Sequence, residues 1–390
     1  MKTAQGVAVL VAAGLLLASG CARANVDQSP APAESPSGSA APAPSPTWSP
    51  RTATVVMNGD LLWHNTLVFG AQTDGRRTGK TLDFEPLLEG VRPVVESADL
   101  AICHNEVPIA PKGGPYSYYP TFSAPEETLD AVKALGYDVC TTGSNHSLDQ
   151  GFAGLKRTLD AMDARGIQHN GTARSEQEAR TPTIFTTAAG VKIGLVEGAY
   201  GTNGIPLPDG KPWAVQGIRI DDLLSRARAT RQAGADIVLV AMHDGEEYQS
   251  APTAEQEALA DALTKSPDVD LVYGHHVHVV QPITRKNGKW VAYGLGNLVA
   301  THKQDMPRGY EGITPRFTFT EQEPGKFSVS LAEYFPTLVT YGDGSKPART
   351  YLVDRALADG TGDRARLLAA RERTNQVVHS LGHDEGLTEH

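Results

Sequence analysis

From Arg51 onward, short apolar runs alternate with polar clusters. "TATVVMNGD", "ADLAICHNE", "YDVCTTGSNH", "ADIVLVAMHDG", "VDLVYGHHVH" and "WVAYGLGN" each read as a buried strand running into Gly, Asn, His, Asp or Glu. Between them, helical periodicity predicts helices over about 86–97, 125–135, 149–166, 220–233 and 253–264. Strands alternating with helices argue for an α/β fold. In such sheets ligands bind outside the carboxyl ends of the strands. The six polar clusters are therefore expected to converge on one rim. Further on, apolar runs at 279–284, 289–295, 316–321 and 326–335 lack long helices between them and predict an antiparallel sheet beside the first. A terminal helix is expected over about 361–381, either packed on the domain or peripheral to it.

The first residues follow a different pattern. A basic start at Lys2 precedes an apolar run, Val7 to Leu17, that is too short to span a bilayer. It ends in "LASGC", which reads as an export signal. That stretch also resembles a bacterial lipobox, in which Cys21 would be lipidated and become the mature N-terminus. Cleavage after "ARA" is the alternative and would give a secreted protein. The following Pro/Ser/Ala-rich stretch cannot bury a core and reads as a tether. The organisation expected is a leader over 1–21, a linker over 22–50, a domain over 51–345 and a helical extension over 346–390.

The 390 residues carry a formal net charge of −10, so the basic surface that nucleic-acid binding needs is not expected. The cysteines beyond Cys21 are Cys103 and Cys140, both in apolar runs. They read as buried packing thiols on neighbouring strands, and an exported protein can also pair them.

The histidines carry the chemistry. In an extended segment side chains alternate. His276 and His278 are therefore expected to point the same way, within reach of one metal centre, and His275 the other way, toward a structural or rim position. Gly274 before them would allow a sharp exit from the strand. Asp60, Glu106, Asn145 and His243 supply the carboxylate, amide and imidazole groups that suit Mn, Zn or Fe. One or two such ions, with a carboxylate bridging them, would polarise a phosphoryl oxygen and generate a hydroxide nucleophile. His146 would stand beside them as general acid or as a positive group on an oxyanion. Asp149 reads as a helix cap or as a hydrogen-bond acceptor near the site, and Asn297 as a turn or a site residue. His104 is left open between facing the site and not.

In chain order these motifs resemble the calcineurin-like metallophosphoesterase pattern. The likeness is closer to the bacterial capsule synthesis proteins of the poly-gamma-glutamate, CapA-like type. The matching boxes are "GDLLWHN", "HNE", "SNHSLDQG", "HDGEEY", "GHHVHVVQP" and "YGLGN", spread over roughly 54–300. The resemblance implies a four-layer α/β/β/α sandwich with two mixed sheets. It also implies metal roles for Asp60, Glu106, Asn145, His243, His276 and His278, and a catalytic role for His146. Glu247 and Tyr248 fall in a box of less clear chemistry, where Glu247 would orient His243. An anionic cell-surface polymer or a phosphoester is the implied substrate, and a membrane capsule complex the implied partner. Leu62 stands where metallophosphoesterases carry a histidine ligand, so one metal site would lack that ligand, and His64 is a candidate replacement. A non-catalytic assembly or polymer-binding subunit, or a generic secreted phosphodiesterase, remain the alternative readings.

Overall fold

Residues Thr52–Leu61 form the spine of a mixed sheet. On one side it pairs in parallel with Leu100–Asn105, followed by Val139–Thr141 and Gln168–Asn170. On the other it pairs antiparallel with Glu311–Glu323, which forms a long hairpin with Lys326–Val339. A second mixed sheet runs in the order Thr183–Thr186, Lys192–Ala199, Ile237–His243, Leu271–His275, Lys289–Ala292 and Ile283–Lys286. The computed structural model describes residues 48–343, 345–382 and 385–390. The leader with Cys21 and the tether as far as Thr47 lie outside the described residues.

The two sheets pack face to face. Val55, Met57, Ile102, Val139 and Phe317 of the first meet Ile193, Leu195, Leu239, Leu271 and Trp290 of the second. In Ile237–His243 the alternate residues Val238, Val240 and Met242 face outward onto Leu223, Ala227, Leu259 and Leu263. These belong to helices Ile220–Gln232 and Ala254–Lys265. That strand is buried on both faces, which is why it reads as a continuous apolar run. Helices Asn65–Thr78 and Glu127–Ala134 cover the outer face of the first sheet through Leu67, Val68, Leu129 and Val132. The architecture is the expected α/β/β/α sandwich.

Four details depart from expectation. The later apolar runs do not build a separate antiparallel sheet. One hairpin forms the edge of the second sheet, and the other extends the first. The helix expected over about 86–97 is two short turns, Glu85–Leu88 and Arg92–Val95. Gly90 separates them, and its backbone presses against Thr350, where a Cβ would lie 1.9 Å from the carbonyl oxygen. The stretch 346–390 is not an added extension: Thr350–Leu352 and Leu387–Glu389 both pair with Lys326–Val339. Helix Arg364–Val378 also places Leu367 and Ala370 in the core. Lastly, Cys103 and Cys140 sit opposite each other in register and form a disulfide rather than two free thiols.

Candidate metal centre

The carboxyl edges of both sheets meet, and the predicted cluster forms there. Asp60 is the penultimate residue of its strand, with its amide donating to Gly296 O at 2.9 Å. Glu106 follows Leu100–Asn105, and Asn145 and His146 follow Val139–Thr141. His243 ends its strand, and His275 to His278 leave the neighbouring one. All of these residues are buried.

Strand alternation does not govern the histidine run. The strand ends at His275, and His276 and His278 take positive φ values of 90° and 57°. Gly274 serves close approach rather than a sharp exit: a Cβ there would lie 1.9 Å from Tyr293 O. All three imidazoles therefore turn into the cluster. His275, expected to face away, donates from Nδ1 to Asp60 Oδ1 at 2.7 Å and stacks on His104 at 4.0 Å. His276 and His278 do not share one ligand set. His276 groups with Glu106 and His243, and His278 with Asp60 and Glu106. Within each triad the donor atoms lie within 4.8 Å of one another, so Glu106 is common to both. A third triad, Asp60, His104 and His275, lies alongside.

These triads fit a divalent transition-metal ion on chemical grounds. Both Glu106 oxygens and His276 Nδ1 are buried with no hydrogen-bond partner, an expensive arrangement unless a cation completes it. His278 Nδ1 lies 3.1 Å from Asp60 Oδ2 and 3.0 Å from Asn297 Oδ1, both acceptors, so it carries the proton. Its Nε2 then faces Glu106 Oε1 across 3.6 Å, too long for a hydrogen bond. Two ligand bonds of about 2.0–2.2 Å each span such a gap. Burial and the facing Asp60 hold Glu106 above the usual carboxylate range. Burial opposes charge on His278, but Glu106 and Asp60 outweigh it and raise its pKa. Without metal, the pair's proton therefore sits on His278. Burial and the His278 charge push His276 down to about 3, and burial with His276 and His104 drives His243 well below its ordinary value. Both are neutral ligand donors at physiological pH.

His243 Nε2 meets Asn145 Oδ1 at 2.8 Å. The Asn145 amide is oriented by its Nδ2, which donates to Asn203 Oδ1 at 3.1 Å. His146 stands at the rim. Its Nδ1 is held by Asp149 Oδ2 at 2.8 Å, and the same oxygen accepts the Phe122 amide at 2.7 Å. Asp149 is thus not a cap: the helix begins at Gly151, with Gln150 at its N-cap. Phe122, from the segment between Leu100–Asn105 and helix Glu127–Ala134, packs edge-on against His146 at 4.8 Å. Tyr200, directly after strand Lys192–Ala199, lies 4.6 Å from His276. Tyr248 has φ 64° and its ring is 6.1 Å from His278.

Other expectations change. Glu247 does not orient His243, because both nitrogens of that ring face other groups, His104 and Asn145. Glu247 is instead exposed. His64 does not replace the histidine missing at Leu62; its Nδ1 faces Leu62 O and the Thr301 amide, each at 3.1 Å. Asn297 is more than a turn, since its Oδ1 orients His278. Sequence reasoning missed Glu197, buried in Lys192–Ala199. The available signal was a lone carboxylate inside the apolar run "KIGLVEGA".

Comparison with known proteins adds family membership. Residues 54–302 match the family described as "Bacterial capsule synthesis protein PGA_cap". The chain is 32% identical over 187 residues to the "Capsule biosynthesis protein CapA" of Bacillus anthracis, covering 45% of this chain and 43% of that protein. It is 28% identical over 215 residues to the "PGA biosynthesis protein CapA" of Bacillus subtilis, covering 53% of each. It thus spans about half the length of these relatives. Among solved structures, the calcineurin-like phosphoesterase YfkN from Bacillus subtilis aligns with a TM-score of 0.44 at 15% identity, covering 84% of this chain and 98% of that one. With the family match extending over more than half of its length, the chain belongs to the bacterial capsule synthesis protein PGA_cap family.

Proposed function

We propose that the protein is an exported, lipid-anchored, metal-dependent hydrolase acting in capsule or poly-gamma-glutamate formation, with a phosphoester as substrate class. The observation that carries this is the buried Glu106 carboxylate, without a hydrogen-bond partner and common to two ligand triads. Asp60, Glu106 and His278 would hold one ion; Glu106, His243 and His276, with Asn145, would hold a second. Such ions supply Lewis-acid activation and a water nucleophile of lowered pKa. The chain's own groups do the rest. His146, fixed by Asp149, presents Nε2 at the rim, where it protonates a leaving oxygen or pairs with a developing negative charge. Phe122 and Tyr200 flank the cluster. The Cys103–Cys140 disulfide supports export, because such bonds persist in oxidising compartments. Cys21 would supply the anchor, and the Pro/Ser/Ala-rich stretch the tether to the membrane. The relatives named for capsule and PGA biosynthesis support the pathway.

A second reading is favoured by one specific observation. Leu62 is buried where the resemblance calls for a ligand, and His64 turns elsewhere. This suits a polymer-binding or assembly subunit with a single structural ion. Metal content measured by plasma mass spectrometry separates the two. Purified residues 51–390 are expected to carry one or two Mn, Zn or Fe ions, and the His276→Ala/His278→Ala double variant none. The loaded protein should hydrolyse a phosphodiester. Absence of metal after reconstitution would reject the hydrolase, and bound metal without hydrolysis would favour the subunit.

Proton competition gives a further expectation. An ion on His278 Nε2 displaces the proton that Glu106 and Asp60 stabilise there. Affinity should weaken about tenfold for each pH unit lowered between roughly pH 9 and 8, where the His278 proton competes with the metal, and more steeply below, where Glu106, raised to about 7, also takes a proton. Chelator-competition titrations across that range measure the slope; a flat profile would exclude His278 as a ligand.

A further inference from the structure

Behind His243, a chain of hydrogen bonds runs between the two sheets. His243 Nδ1 lies 3.0 Å from His104 Nε2, and His104 Nδ1 lies 2.8 Å from Thr141 Oγ1. On geometry alone this chain has two proton arrangements. In one, each ring carries its proton on Nδ1, so His104 donates to Thr141, His243 donates to His104, and His243 Nε2 is a bare lone pair. In the other, every proton is reversed. His243 then carries its proton on Nε2, directed at Asn145 Oδ1, and can ligate nothing there. Thr141 donates its hydroxyl to Cys103 O at 3.3 Å and so accepts from His104, which favours the first arrangement, whereas Asn145 Oδ1, an acceptor 2.8 Å from His243 Nε2, favours the second while no ion lies between them.

Glu197 breaks the tie. It comes from the second sheet, and its Oε2 accepts the Thr142 and Gly143 amides at 2.9 and 2.7 Å. Its Oε1 is buried, has no hydrogen-bond partner of good geometry, and lies 3.4 Å from His104 Nδ1. A bare Nδ1 facing that carboxylate would be repelled, whereas a protonated one is attracted. The backbone makes room for this contact: Gly171 has φ 104°, and a Cβ there would lie 1.7 Å from Glu197 Oε2. The same carboxylate braces Thr142–Gly143, the turn that leads into Asn145 and His146.

We infer that Glu197 is a positioning residue that acts through His104 to keep His243 Nε2 unprotonated and directed, with Asn145 Oδ1, at a shared ion. The consequence for metal rests on the hydrolase reading above, but the tautomers do not. Glu197→Gln is the test, because it keeps the shape and one amide-accepting oxygen. Its NH2 would face His104 Nδ1 and reverse the chain, placing a proton on His243 Nε2.

Nitrogen-15 NMR of histidine-labelled, metal-free protein reads the tautomers directly. In the wild type His104 and His243 should both be protonated on Nδ1; in Glu197→Gln both should switch to Nε2. Metal dissociation constants from chelator competition should rise about 10–100-fold in the variant, while its metal-free melting temperature stays close to wild type. A purely structural Glu197 would lower that melting temperature and leave tautomers and affinity alone, which would overturn the inference. Wild-type rings protonated on Nε2 would overturn it too, even if the variant failed to fold. If the tautomers switch but the wild type binds no metal, the relay stands and the hydrolase reading falls.

Discussion

Glu106→Gln is expected to abolish metal binding while leaving the metal-free protein no less stable. The argument rests on two opposed effects at one side chain. Glu106 belongs to both ligand triads, so its loss removes a donor from each ion at once. Its two oxygens are also buried without hydrogen-bond partners, and burial pushes its pKa upward, which marks the ionised form as costly in the folded chain. An amide of the same shape removes that cost, at the expense of a counter-ion for His278, for which Asp60 remains at 3.1 Å. A ligand at 100 times its dissociation constant stabilises by about 2.7 kcal/mol. The wild type should therefore melt about 5 °C higher with metal than with chelator. Glu106→Gln should show no such increment and should melt in chelator at or above wild type. Plasma mass spectrometry and paired thermal melts check both halves. A variant that still binds metal would remove Glu106 from the centre. One that loses metal and also melts far lower in chelator would mean that the carboxylate has a structural partner after all.

The residues legible in the sequence were those whose position announced them. Asp60, Glu106, Asn145, His243, His276 and His278 each follow an apolar run, and apolar runs end where sheets end. The fold class followed from the same alternation of runs and helices. Helix Asn65–Thr78 was not legible, because "NTLVFGAQTDGRRT" holds two glycines and few apolar positions. Gly75 is there because a Cβ would press on Lys80 O at 2.6 Å, a contact that local periodicity cannot reveal. The orientation of His275 was misread because alternation was carried past the strand's last residue, into a segment with left-handed backbone. Glu197 and His104 were hidden for a different reason. Their roles come from contacts of 3–4 Å between the two sheets, across 93 positions of sequence, and no local pattern encodes which strands will face each other. The paired cysteines belong to the same class, since register between parallel strands is set by packing rather than by spacing.

His146→Gln should lower the turnover of a phosphodiester by about 10²–10⁴-fold, the range for loss of a positioned general acid, with metal content unchanged. The ring is outside all three ligand triads and touches Asp149 and Phe122 instead, which separates it from the ligand variants. Burial opposes its charge, but the bond to Asp149 and the nearby Glu106 outweigh this and hold its pKa above the ordinary histidine value. The sign follows directly. A raised pKa means the imidazolium is fully present below the unfolded value and is lost as pH rises through the folded one. Activity that needs the proton should therefore fall on the alkaline side, and the stability from the His146–Asp149 pair should fade over the same interval. Asp149→Asn removes the anion while keeping a group of the same shape, so the alkaline limb should move to lower pH by about one unit, the equivalent of one charged hydrogen bond. A pH–rate profile of the three proteins, each loaded with the same metal, distinguishes the roles. If His146→Gln lost turnover while Asp149→Asn left the limb in place, the proton would not come from His146, and the ring would act by packing against Phe122. If neither variant changed turnover, the hydrolysis would belong to another site, and the rim histidine would be free to serve polymer binding alone.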